Sequence, residues 1–144
     1  MSYCKPIFFT DDFGNMGIMP VYKTKEAACA DVALPHAVTI KPNEVLKVDL
    51  LVGFDIPAGS KIVMYPRSSL LMKYGLMSPT SIIDSDYRGQ HIHWPVINLG
   101  GDPITLEKGT RVAQIELCRT EQVTDWEMER VERTGGFGST GEGK

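Results

Sequence analysis

Two carboxylates separated by one residue stand in Ile82-Ile83-Asp84-Ser85-Asp86-Tyr87-Arg88-Gly89, between an aliphatic pair and an aromatic ring followed by a cation. A carboxylate fixed at the end of an anchored strand can orient a water molecule and accept its proton. In isolation the same residues read equally well as a charged β-turn. Upstream, Pro66-Arg67-Ser68-Ser69-Leu70 sets a fixed cation and two hydroxyls at the start of a short helical stretch, whose first backbone amides favour an anion. Alone, that is a weak anion-site pattern. His91 and His93 alternate with Ile92 and Trp94, which puts both imidazoles on one face of a strand. With no third ligand nearby in the chain, a polar sheet face is expected there rather than a metal pair.

The glycine-rich end, Gly135 to Lys144, holds one large apolar group, Phe137. Glycine loses more backbone entropy on ordering than any other residue, so a flexible arm is expected, ordered only when a ligand gives it something to hold. Phe137 would then be better placed against a flat apolar ligand face than in water; a plain disordered terminus is the alternative. Gly138-Ser139-Thr140-Gly141-Glu142-Gly143-Lys144 matches the first seven positions of a P-loop, but no helix follows whose amides could face a phosphate, and the Ser/Thr that would meet the metal is missing. It is not read as one.

The elements that must carry these groups are strands. Segments rich in β-branched and apolar residues recur between turn signals without a sustained helical period. Val45 to Phe54, Lys61 to Tyr65, Gln90 to Asn98 and Arg111 to Cys118 are each of strand length, separated by Gly- and Pro-containing turns. The best helix runs from Ser68 to Tyr74 and stops at Gly75. Trp126 to Arg133 fits either period. An all-β domain over residues 1–134 with one short helix is expected, followed by the flexible arm at 135–144.

Composition narrows the chemistry. A chain of 144 residues supports one domain with a proper core. A formal net charge of -3 gives no general attraction to nucleic acid or anionic membrane. The apolar runs are short and interrupted, and the N-terminus lacks a secretory layout, so a cytoplasmic protein is expected. Its three cysteines, Cys4, Cys29 and Cys118, show no CxxC spacing, which argues against structural zinc. Cys118, inside an apolar run, is expected to be a buried thiol.

Taken in order, these pieces resemble the five motifs of the trimeric dUTPase family. The first is Ala28-Cys29-Ala30-Asp31-Val32, which keeps the family's Asp but not its Gly and aromatic ring. The second is Pro66-Arg67-Ser68-Ser69-Leu70 with Lys73 and Gly75, the third Ile83-Asp84-Ser85-Asp86-Tyr87-Arg88-Gly89, the fourth Gly109-Thr110-Arg111-Val112-Ala113-Gln114-Ile115, and the fifth Gly135-Gly136-Phe137-Gly138-Ser139-Thr140-Gly141. Ser78-Pro79-Thr80-Ser81 stands where the family usually has a Gly-containing turn that reads the base, and Arg133 stands one place closer to the Gly-Gly-Phe run than is common.

The resemblance implies a β-barrel or jelly-roll-type fold and cleavage of dUTP to dUMP and pyrophosphate, by water attack on the α-phosphate. Asp84 would be the general base, Tyr87 would pack under the deoxyribose, and Arg67, Ser68, Ser69 and Gln114 would hold the triphosphate. Asp31 would support the phosphate and metal region. From the arm, Phe137 would stack on uracil while Arg133, Gly138, Ser139 and Thr140 close on the phosphates. Mg²⁺ would ride on phosphate oxygens and water, with no direct protein ligand. The family is a homotrimer whose site takes the third motif from one subunit, motifs one, two and four from another, and the arm from the third. A dCTP deaminase, or its bifunctional relative, shares the fold, but this chain has Trp94 where that family has its acid/base Glu. A nucleotide-sensing regulator on the same fold is the other alternative, against which the water-activating position of Asp84 speaks.

Overall fold

The computed structural model describes residues 3–126, 129 and 131–134. Its order is β1 (Lys5–Phe8), β2 (Ala30–Ala33), β3 (Val38–Ile40), β4 (Val45–Asp49), β5 (Val52–Asp55), β6 (Ser60–Pro66), α1 (Ser68–Tyr74), β7 (Leu76–Met77), β8 (Ser81–Asp84), a 3₁₀ turn at Ser85–Tyr87, β9 (His93–Asn98), β10 (Ile104–Leu106) and β11 (Arg111–Arg119). The strands pair antiparallel in four small sheets, β1-β5, β10-β3, β2-β11-β6-β8 and β4-β9-β7. They enclose one apolar cluster that includes Leu34, Ile40, Ile56, Ile62, Ile83, Trp94 and Val112. This is the expected all-β, jelly-roll-type architecture with one short helix. The expected arm at 135–144 lies outside the described residues. Among the described residues, no helix is long and apolar enough to cross a membrane.

Alternation decides which side chains reach the core. In β8, Ile83 is buried while Ile82 is exposed, so Asp84, two residues on from Ile82, faces outward with it. In β11, Ile115 is buried and Leu117 packs against the core, which turns Gln114, Glu116 and Cys118 to the other face. Cys118 is therefore half-buried and not the interior thiol its apolar run suggested. A register shift between Arg111 and Ala113 lets the adjacent pair Val112 and Ala113 both be buried.

The run Val45 to Phe54 is two strands, not one. Leu51 adopts φ 55°, and its N–H donates to Asp49 Oδ1 at 2.8 Å. That Asx-type turn lets Leu50 and Leu51 both be buried and sends the chain from the β4-β9-β7 sheet into the β1-β5 pair. The strand expected from Gln90 begins instead at His93, because residues 89–92 bond to β5: Gly89 N–H donates to Phe54 O at 3.2 Å and Ile92 N–H to Val52 O at 2.8 Å. Trp126 to Arg133 forms no regular element in its described residues. The helix Ser68–Tyr74 has the expected bounds; it stops at Gly75, whose φ of 70° few other residues adopt without strain. Asn98, wholly buried, closes the far end by donating to Ile40 O at 2.9 Å and Asp102 O at 2.8 Å and accepting from Gly100 N–H at 2.9 Å.

Gly53 in β5 lies under this segment. A Cβ added there would sit 2.4 Å from the backbone oxygen of Gln90. Backbone cannot rotate away as a side chain can, so Gly53→Ala should cost about 2 kcal/mol and lower Tm by several degrees in a thermal melt. An unchanged melt would show that the Gln90 backbone yields freely.

Candidate functional site

Strand β6 separates two groups of polar side chains. At its start, Lys61 pairs in register with Asp84 of β8. Beyond its other end lies Arg67, six positions along the chain from Lys61. At the usual rise of ~3.3 Å per residue this separation is on the order of 20 Å.

The first group gathers around Asp84. Ile83, buried, fixes the end of β8, and the 3₁₀ turn then presents Asp84 and Asp86 side by side, each more than half exposed. Arg133 reaches both: its Nη2 lies 2.6 Å from Asp84 Oδ2 and its Nε 2.8 Å from Asp86 Oδ1. The same guanidinium stands 5.7 Å from the ring centre of Tyr87. Tyr87 is buried and donates its hydroxyl proton to the backbone oxygen of His91. Burial pushes the Tyr87 phenol up, with Asp49 adding to the rise and Arg133 opposing it, so the hydroxyl stays a donor. Gly59, Ser60, Asp84, Ser85, Asp86, Thr120 and Gln122 line an open cleft of about 540 Å³.

The second group is built on β2, β11 and the start of α1. Asp31 and Tyr65 flank Gln114 in register on either side of β11. Arg111 Nη1 donates to Asp31 Oδ2 at 2.9 Å, Arg67 Nη1 donates to the Arg111 backbone oxygen at 3.0 Å, and Gln114 Nε2 lies 3.4 Å from Pro66 O. Ser68 is exposed and Ser69 half-buried at the first turn of α1. Asp31, Arg67, Ser68, Ser69 and Gln114 are thus brought together, and Asp84, Tyr87 and Arg133 are brought together elsewhere. Phe137, Gly138, Ser139 and Thr140 lie outside the described residues.

Two partners escaped sequence reasoning. Arg111 sits within the fourth motif, and its pairing with Asp31 across 80 residues has no local signal. Asp49 is the other, and it gathers both histidines. His91 Nδ1 lies 2.8 Å from Asp49 Oδ2 and His93 Nε2 4.0 Å from the same oxygen, while the His91 ring stacks on Phe9 at 3.7 Å. His93, on β9, does face Asp49 in register as a polar face would, but His91 precedes the strand. Among the described residues no group of three or more His, Cys, Asp or Glu side chains is arranged to hold a metal.

Comparison with known proteins bears on the family and the fold. A family model described as dUTPase matches residues 15–141. The deoxyuridine 5'-triphosphate nucleotidohydrolase of Desulfotalea psychrophila is 39% identical over 132 residues, covering 85% of this chain and 87% of that protein. The fold is similar to the dUTPase of Staphylococcus bacteriophage 80alpha, solved as a mutant with dUpNHpp, at TM-score 0.75 and 19% identity over 100% of this chain and 96% of the other. It is equally similar, at TM-score 0.75 and 17% identity over 94% of this chain and 100% of the other, to a mutant dUTPase from phage phi11 of S. aureus, described as coordinating a structural Mg(II) ion.

Burial pushes the His93 imidazole below its ordinary value; Asp49 opposes the shift and Lys47 adds to it. The unfolded chain takes up that proton near pH ~6.5, above the native value. Stability from His93 is therefore complete above about pH 6.5 and is lost as pH falls from there toward the lowered native value. Melting curves between about pH 7.5 and 5.5 should show this decline, and His93→Gln should flatten it; an identical slope in the variant would place the titrating group elsewhere.

Proposed function

This chain belongs to the dUTPase family, and from that premise we propose that it hydrolyses dUTP to dUMP and pyrophosphate with Asp84 as the general base. The observation that carries this reading is Asp84 itself: an exposed carboxylate at the last position of a strand whose preceding residue is locked in the core, facing an open cleft. Asp84 takes a proton from water as the water oxygen bonds to the α-phosphorus. The bond to the bridging oxygen breaks, and pyrophosphate leaves. Arg67, Ser68, Ser69 and Gln114 hold the phosphates, supported by Asp31, which Arg111 orients. Tyr87 forms the floor of the sugar site, rigid because its ring is buried and its hydroxyl is committed to His91 O, and so it leaves no room for a 2′-hydroxyl. Phe137 stacks on uracil, a contact of the kind worth ~1–3 kcal/mol per base, while Gly138, Ser139 and Thr140 close the arm (135–144) over the phosphates.

A divalent ion that keeps phosphate oxygens and water as ligands needs no protein cage, and the carboxylate of Asp31, in register with Gln114, is an oxygen donor that such an ion's water shell would meet. Bound with the nucleotide, Mg²⁺ would offset the negative charge that otherwise repels an incoming nucleophile.

The spacing along β6 supports the reading of a homotrimer with shared sites. A general base must lie within hydrogen-bond reach of its target, directly or through one water. Arg67 and Ser68 of the same chain, on the order of 20 Å along the strand from Asp84, are out of that reach. A neighbouring subunit can bring its own copies there. Deamination is disfavoured because Trp94 is buried in the core, leaving no carboxylate at that place.

Asp84→Asn should lower the rate of pyrophosphate release from dUTP by roughly a hundred- to ten-thousand-fold while dUTP binding is largely kept. Equal rates would remove Asp84 from the mechanism. Deleting residues 135–144 should abolish most turnover and leave the thermal melt unchanged, whereas an unfolded product would show that the segment is part of the domain.

A further inference from the structure

We propose that Asp49 and His91 are a pair of positioning residues that hold the Tyr87 ring in place beneath the sugar and so set how strictly a 2′-hydroxyl is refused. This rests on the reading of Tyr87 as the sugar floor, and it concerns what keeps that floor from moving.

The hydroxyl of Tyr87 donates to the backbone oxygen of His91, so the direction of that oxygen holds the ring. Two connections fix His91, and both begin at Asp49. Through Oδ2, 2.8 Å from His91 Nδ1, the carboxylate holds an imidazole that is also stacked on Phe9, with ring centres 3.7 Å apart. An ionised carboxylate can only accept, so Nδ1 carries the ring proton. Through Oδ1 the same carboxylate accepts from Leu51 N–H at 2.8 Å, and beyond that turn Leu50 N–H donates to Ile92 O at 2.9 Å and Ile92 N–H to Val52 O at 2.8 Å. Phe9 is tied to the same turn, its N–H donating to Leu51 O at 2.9 Å. The peptide group between His91 and Ile92 is planar, so the bond from its N–H to Val52 also aims its oxygen at Tyr87.

Backbone bonds constrain the Ile92 side of that peptide, and the imidazole clamped between Phe9 and Asp49 constrains the His91 side. His91 is 38% exposed and Asp49 36%, and an ion pair in such a setting adds little to stability. Its effect is directional. His93 Nε2, 4.0 Å from the same Oδ2, lies outside hydrogen-bond distance, so His91 is the histidine that this oxygen engages. An open cleft lined by Phe9, Asp49, Tyr87, Gln90 and His91 adjoins the ring and leaves space into which it could be displaced. A ribonucleotide must displace the ring to seat its 2′-hydroxyl, and breaking the bond to His91 O is part of that cost.

Discrimination, read as kcat/KM for dUTP divided by kcat/KM for UTP, tests the pair. His91→Phe keeps a ring on Phe9 but loses the bond to Asp49; Asp49→Ser keeps an acceptor for Leu51 N–H but is too short to hold His91. Each should lower discrimination roughly fivefold, the worth of one hydrogen bond, by raising kcat/KM for UTP, with Tm nearly unchanged. Asp49→Asn, whose amide can accept from Leu51 and donate to an unprotonated Nδ1, should keep most of the discrimination. Tyr87→Phe removes the hydroxyl alone and should give the same loss, and His91→Phe should add nothing in that background. A general weakening of the fold lowers both rates together and leaves the ratio alone. An unchanged ratio in His91→Phe, or additive losses in the double variant, overturns the proposal. Tyr87→Leu separates it from the reading beneath it, since loss of the ring should abolish most discrimination: if it does while His91→Phe changes nothing, only the pair is refuted, and if it does not, the sugar floor is misassigned and the pair falls with it.

Discussion

The register of β6 against its two neighbours is the constraint on which the rest depends. Lys61 is paired with Asp84 on one side, and Tyr65 with Gln114 on the other. Sliding either pairing by one residue would turn Ile83 or Ile115 out of the core, so the core fixes where the carboxylate and the amide emerge. It also fixes how far apart they are. A strand does not shorten, and Asp84 and Arg67 of one chain are therefore held apart by its length.

Charge within each group is arranged so that no buried ion is left alone. Arg111 neutralises Asp31, and Arg133 lies between Asp84 and Asp86. Tyr87 shares the second arrangement, beneath the guanidinium and bonded through its hydroxyl to the segment that β5 holds. The fixed position of the Tyr87 ring thus derives in part from backbone bonds that hold residues 89–92 on β5. Asp49 extends the same support, since it shapes the turn at Leu51 and also gathers His91.

Where sequence reasoning misjudged an element, the cause was long-range. Nothing local marks the break at Leu51, because Val45 to Phe54 has strand-forming residues throughout and the turn depends on where Leu50 and Leu51 can both be buried. Cys118 lies in an apolar run, yet its place in the alternation set by Ile115 turns it off the core face. Residues 90–92 have strand-like character but are drawn onto β5 by backbone hydrogen bonds, so β9 begins at His93.

Motif order, the short helix from Ser68 to its Gly75 stop, the strand-rich character and the paired carboxylates were determined by the sequence alone, because turn chemistry, side-chain type and spacing are local properties. Tertiary structure decided which of those residues meet. Arg111 with Asp31, Arg133 with Asp84 and Asp86, and the separation of Asp84 from Arg67 along β6 are matters of strand register and chain path. Register is set by burial in a core assembled from distant segments, and no window of neighbouring residues contains that information.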